Sequence, residues 1–219
     1  MRTLRRVLQR RRPDEGFTLI ELVMAVSILG IITVALTGVV LEYLKVSTST
    51  RTRLTESTDQ QFISAYWQQD VSSLGRRSFA PANVADPVPV SASVFVGGGS
   101  PGNCGAGVGA VVVAFSWTDF TVNAANPDDA WNSTLQEAAW VRRGPTELVR
   151  VRCSGGTAGA PIRVARNLDG APTVTCVPSC TPGGTLPRTV SMQFNVRDTS
   201  EPTADTHYVT TVTADRRQG

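Results

Sequence analysis

The chain has 219 residues, 41% of them hydrophobic and 18% charged, and a formal net charge of +3. Six arginines within the first twelve residues, opposed only by Asp14 and Glu15, account for that excess, and without residues 1–16 the side-chain charge is about −1. Composition therefore gives no argument for nucleic acid as a partner, because no net positive field is left to recruit phosphates. The single histidine, His207, allows no assembly of nucleophile, base and orienting group, so no catalytic residue is expected.

The arginine-rich start leads through Pro13-Asp14-Glu15 into Gly16-Phe17-Thr18-Leu19-Ile20-Glu21. From Phe17 to Leu41 the chain is hydrophobic except for Glu21. At about 1.5 Å per residue this run is long enough to cross an approximately 30 Å hydrocarbon core as a helix. The arginines orient it with the N-terminus in the cytoplasm and the C-terminal part exported. A carboxylate in such a segment costs roughly 3 kcal/mol on insertion scales, so Glu21 needs a partner or a task. A secretory signal peptide would place a small-residue cleavage site after the apolar run, and no such site precedes a polar start here. A plain signal anchor fits the length and the basic flank but explains neither Glu21 nor the Gly16–Phe17 junction. Twin-arginine export adds nothing, since the orientation rule already accounts for the arginines.

Those residues resemble the class III signal sequence of the type IV pilin and type II secretion pseudopilin superfamily. The resemblance covers about the first forty residues. It implies cleavage between Gly16 and Phe17 by a membrane-embedded prepilin peptidase, followed by N-methylation of Phe17. Gly16 suits the scissile position because a missing side chain lets a protease approach the backbone. Glu21 would pair with the Phe17 amine of a neighbouring subunit. Many members carry a proline in this helix. Here there is none, and any local melting on assembly would fall to Gly30 and Gly38. The implied organisation is a cleaved leader (1–16), a transmembrane and filament-core helix (17–41), an amphipathic continuation (42–74) and a β-rich head (75–219).

Beyond Leu41, neither Gly nor Pro interrupts the chain before Gly75. Ile63, Trp67, Val71 and Leu74 recur at helical spacing, flanked by Phe62 and Tyr66, and make a stripe suited to packing on a sheet. Ser47 to Gln61 is threonine-rich and a poor helix former alone. After Gly75 the composition shifts to Pro, Gly, Val, Thr and Ser, as expected of strands and loops. Val190, Met192, Phe194 and Val196 alternate with polar residues as a half-buried antiparallel strand. Trp140 to Arg143 and Glu147 to Arg152 flank Gly144-Pro145 as a hairpin. Further strands are expected at Val88 to Val96, Gly109 to Trp117, Ile162 to Ala165, Thr173 to Val177 and His207 to Ala214. Gly97-Gly98-Gly99-Ser100-Pro101-Gly102 lacks the lysine and helix of a phosphate loop and is expected to be a flexible connector. The fold class is α+β, one long N-terminal helix whose second half packs on an antiparallel sheet.

In an exported head, Cys104, Cys153, Cys176 and Cys180 read as two disulfides with three possible pairings. Cys176 with Cys180 and Cys104 with Cys153 is the preferred set. The spacing does not suit zinc, and His207 has no ligand companion nearby. Asp128 and Asp129 are weighed as a calcium loop and read as a solvated turn, and Asn132-Ser133-Thr134 is a chance-length sequon. No metal or cofactor is expected.

The functional expectation is a structural subunit of a type IV pilus or type II secretion pseudopilus. Similarity around Asp70, Leu148-Val149-Arg150 and Val164-Ala165-Arg166-Asn167-Leu168 to the minor pseudopilin J and minor pilin W groups points to a minor one. Its expected partners are the prepilin peptidase, other pilin-like subunits and the inner membrane. The alternatives are a pilus-tip module for adhesion or DNA uptake, which would use Arg142, Arg143, Arg150 and Arg152, and a membrane-anchored envelope protein outside any filament. Those four arginines otherwise read as the solvated face of a strand.

Overall fold

A computed structural model describes residues 16–74, 93–122, 131–197 and 207–217. The arginine-rich leader, the helix stop at Gly75, the first part of the Val88–Val96 strand and the Asp128-Asp129 turn lie outside these residues. The chain divides into two compact units, Met1–Thr48 and Ser49–Gly219.

One helix, α1 (Leu19–Ser73), contributes to both units. In the first unit its large apolar side chains are exposed, from Leu19 to Val46. Here the helix forms because an apolar segment has no other way of satisfying its backbone groups without water. Ser27, Thr33 and Thr37 return their hydroxyls to the carbonyls four residues back, each at 2.8 Å, so these polar side chains leave no orphan donor.

In the second unit, the last turns of α1 bury Ile63, Trp67 and Val71, and Leu74 follows in the turn after the helix, each no more than 1% exposed. The first sheet holds β1 (Val94–Val96), β2 (Ala110–Val122), β3 (Trp131–Arg143), β4 (Glu147–Ser154) and β5 (Thr157–Ala158) in that order, with β6 (Ile162–Ala165) also pairing β4. The second sheet orders β7 (Thr173–Val177), β8 (Thr189–Arg197) and β9 (His207–Asp215). Every pairing is antiparallel. The architecture is α+β and pilin-like.

Sheet residues alternate between two apolar clusters. Val113, Phe115, Trp117, Ala138, Trp140 and Leu148 join the helix stripe and Val190, Met192 and Phe194 of the second sheet. Ala114, Ala139, Val141, Val149 and Val151 form a separate cluster with Cys104 and Cys153. The first sheet is thus covered on both faces. Trp67 fixes the helix to both sheets. Its ring meets Phe115 and Trp140 edge-on at 5.2 Å, and its Nε1–H donates to the Val190 carbonyl at 3.0 Å. Such aromatic pairs add about 0.5–1.5 kcal/mol beyond burial.

Two sequence expectations need revision. β2 and β3 are longer than their apolar patterns suggest, because polar residues such as Thr118–Asp119 and Asn132–Gln136 continue the ladder beyond the core. The Gly97–Gly102 run is the start of a series of turns that is tied to β3 and β4, not a free connector.

Candidate processing and assembly site

Gly16, Phe17 and Thr18 precede α1 in non-helical conformation. A Cβ added at Gly16 would meet nothing within 4 Å, and Phe17 is 78% exposed. The Gly16–Phe17 bond therefore lies in accessible backbone outside the helix. Thr18 acts as the helix N-cap. Its hydroxyl oxygen accepts the Glu21 N–H at 3.4 Å, and its carbonyl accepts the Leu22 N–H at 3.1 Å. The Thr-x-x-Glu spacing is that of a capping box, in which the side chain at the third helical position also favours the helix start. Sequence reading noticed the charge of Glu21 and missed the cap, although the spacing announces it.

Glu21 itself is exposed within the helical stretch Leu19–Arg51, which is long and apolar enough to cross a membrane, and whose most apolar window has no side chain buried inside the chain. Gly30 and Gly38 lie within uninterrupted helix with open space where a Cβ would stand.

In the second unit, the most constrained charge is Asp70. Its Oδ1 and Oδ2 accept the Arg150 fork at 2.5 and 2.8 Å, and Oδ2 also accepts the Trp140 Nε1–H at 3.0 Å. Asp70 and Arg150 are 0% and 4% exposed. Burial pushes the Asp70 carboxyl above the ordinary carboxylate range, and the hydrogen bonds from Arg150 and Trp140 pull against it. The Arg150 guanidinium also lies 4.8 Å from the centre of the Tyr66 ring. The expectation that Arg150 belongs to a solvated strand face is thus corrected. β4 is covered on both sides, so the residue between Val149 and Val151 faces the helix. The alternation Val149-Arg150-Val151-Arg152 gave no signal of this, because a strand with one solvated face shows the same pattern.

The other three arginines of that expected patch are engaged separately. Arg143 pairs with Glu147 at 2.7 Å, Arg142 donates to the Pro145 carbonyl at 3.0 Å, and Arg152 lies 5.2 Å from the Trp117 ring centre. The four do not form one free basic surface.

A second buried carboxylate, Glu137, accepts the backbone N–H groups of Gly102 and Cys104 at 3.1 and 3.2 Å and the Ser116 hydroxyl at 2.8 Å. It replaces water for the turn that carries Cys104, and a Cβ on Gly102 would collide with it. Cys104 is bonded to Cys153 and Cys176 to Cys180, with Cα separations of 5.9 and 5.1 Å. No group of histidine, cysteine and carboxylate side chains able to hold a metal occurs among the described residues. Asn132 is exposed on β3.

Residues 11–37 match the prokaryotic N-terminal methylation motif. No curated protein and no solved structure matches the chain. The motif's family is structural rather than enzymatic, and the match spans the Gly16–Phe17 junction, the Thr18 cap and Glu21. Through this motif, which leads into one long apolar helix and an antiparallel β head, the chain is similar to the type IV pilin and pseudopilin superfamily.

Proposed function

We propose that the protein is a minor structural subunit of a type IV pilus or a type II secretion pseudopilus. Prepilin peptidase removes residues 1–16 at the cytoplasmic face of the inner membrane, and Phe17 becomes the methylated N-terminus. Residues 17–41 then serve as membrane anchor and filament core, 42–74 continue the helix, and 75–219 form the exported head. The protein performs no chemistry of its own.

The observation that carries this reading is Glu21, an acid in a membrane-length apolar helix, within a matched methylation motif. Left alone in hydrocarbon it costs roughly 3 kcal/mol. The Phe17 amine of a neighbouring subunit turns that cost into a charge-assisted contact, and apolar packing between helices supplies the rest of the association. Intact-mass and N-terminal analysis of membrane-extracted protein tests the processing step. The expected product begins with methylated Phe17, whereas an unprocessed Met1 or a start beyond Leu41 overturns it.

A further inference from the structure

A cleft of about 370 Å³ opens between the β3–β4 turn, the β6–β7 connection and the end of β8. Arg142, Thr146, Asn167, Asp169 and Arg197 supply its polar walls, and Leu168 is among its apolar residues. The frame is knit by backbone hydrogen bonds. Leu168 donates its N–H to Thr146 O, Asp169 to Asn195 O, and Arg197 to Asn167 O, at 2.8–2.9 Å. Leu168 also bridges to Val196. Both sheets thus hold the cleft in shape before anything binds, which lowers the ordering cost of a ligand.

Arg142 is the unusual member. It is half-buried, its Nε is buried without a hydrogen-bond partner, and its terminal nitrogen reaches only the Pro145 carbonyl. Arg143, Arg150, Arg163, Arg166 and Arg197 each have a carboxylate within ion-pair distance, and among the described residues Arg142 has none. A guanidinium in a concave, partly desolvated wall attracts an anion more strongly than one in open water, and its fork matches a planar carboxylate. Arg197 adds a second guanidinium, held at 3.3 Å by Asp169. The Asp169 carboxylate on the same wall works against a multiply charged phosphate and leaves room for a single negative charge. Thr146 and Asn167 furnish neutral hydrogen-bonding groups beside it.

We propose that this cleft is a binding site for a monoanionic carboxylate, carried either by a small organic acid or by an acidic side chain of a polypeptide, with Arg142 as its principal anchor. The site is independent of the processing motif.

Calorimetric titration of the full chain in detergent micelles with N-acetylglutamate, a short glutamate-containing peptide and inorganic phosphate tests the proposal. Carboxylate binding that weakens with salt, and that falls about tenfold or more in Arg142→Gln through loss of a charge-assisted pair, is expected. Arg142→Lys, which keeps the charge and loses the fork, should fall between. Arg197→Gln removes the second guanidinium and should weaken binding without disturbing Arg142. Equal affinity for the free acid and the peptide assigns the site to small acids, and tighter peptide binding assigns it to a polypeptide partner. Absence of carboxylate binding, tighter binding of phosphate, or binding unchanged in both glutamine variants overturns the proposal.

Discussion

Two carboxylates on the same helix meet opposite fates. Glu21 projects from a stretch whose large side chains are all exposed, while Asp70 is sealed between α1 and β4 with three hydrogen-bond donors on it. Both are acids removed from bulk water once the apolar stretch lies in a membrane. The head solves the problem within the chain, through an arginine distant in sequence. Within the chain the helix offers Glu21 no such side-chain partner among the described residues, and under the proposed function that partner is the Phe17 amine of a neighbouring subunit. The contrast teaches that a charge in an apolar element is informative chiefly through where its partner comes from.

The sharpest way to break this comparison is to make Asp70 resemble Glu21 by removing its partner. Arg150→Met should destabilise the head by about 3–5 kcal/mol, since it strands a buried carboxylate. With Arg150 gone, only the Trp140 hydrogen bond and the more distant Arg152 charge still oppose burial, and the folded-state pKa of Asp70 rises further above its unfolded value. Its stabilising contribution is then fully present below the unfolded pKa, near 3.8, and is lost as pH rises through the folded pKa. Denaturation of Arg150→Met followed by tryptophan fluorescence should show falling stability from acid to neutral pH. Asp70→Asn/Arg150→Met should recover part of the loss and abolish the slope. A flat pH profile in the single variant would show that Asp70 is not held as described.

The disulfides extend the comparison from charge to covalent restraint, which only the head possesses. Cys104–Cys153 closes a separation of 49 residues and Cys176–Cys180 one of 4. In the chain-entropy description these contribute about 4 and about 2 kcal/mol. Replacing the first pair by alanine should lower the denaturation midpoint more than replacing the second. The reverse order would mean that Glu137, not the disulfide, is what fixes the turn carrying Cys104.

Sequence reading went furthest where a local period meets a single covered face. Ile63, Trp67 and Val71 on α1, Leu74 just after it, and Val190, Met192 and Phe194 on β8 are all buried as their spacing requires. It failed where the first sheet is covered on both faces. There an arginine between two valines signals a solvated face only if one face is free, and nothing local tells that α1 and the Cys104 cluster lie on opposite sides. Glu137 was missed for the same reason, because its donors are distant in sequence, two backbone groups of a turn 33 and 35 residues earlier and the Ser116 hydroxyl 21 residues earlier. At the N-terminus the cap was legible and Glu21 drew attention, because that site depends on short-range spacing alone.

A smaller effect is expected at Glu21. Glu21→Leu removes the cost of an acid in hydrocarbon, and membrane insertion of the helix should improve by up to about 3 kcal/mol, the figure for a charge at the helix centre, since Glu21 lies in the first turn. Incorporation into a filament, read by crosslinking between membrane helices, should fall at the same time. Better insertion with unchanged crosslinking would separate Glu21 from assembly and leave it only the helix start seen with Thr18.

The smallest effect sharpens the comparison with a third carboxylate that keeps its water. Glu147 accepts the Arg143 Nε–H at 2.7 Å and an Arg163 N–H at 3.2 Å at the surface, and the hydrogen bond from Arg143 does most to hold its carboxyl below the ordinary range. A depressed folded-state pKa contributes stability above the unfolded value, near 4.5, and that contribution is lost as pH falls through the folded value. Solvent screens a pair whose arginines are nearly half-exposed, so Glu147→Gln should cost only a few tenths of a kcal/mol at neutral pH, and less at high salt. The wild-type slope from this pair runs towards lower stability in acid, whereas the Arg150→Met slope runs towards lower stability at neutral pH. Opposite signs in one titration series therefore separate a carboxylate stabilised by its surroundings from one that its surroundings tolerate only while its partner is present.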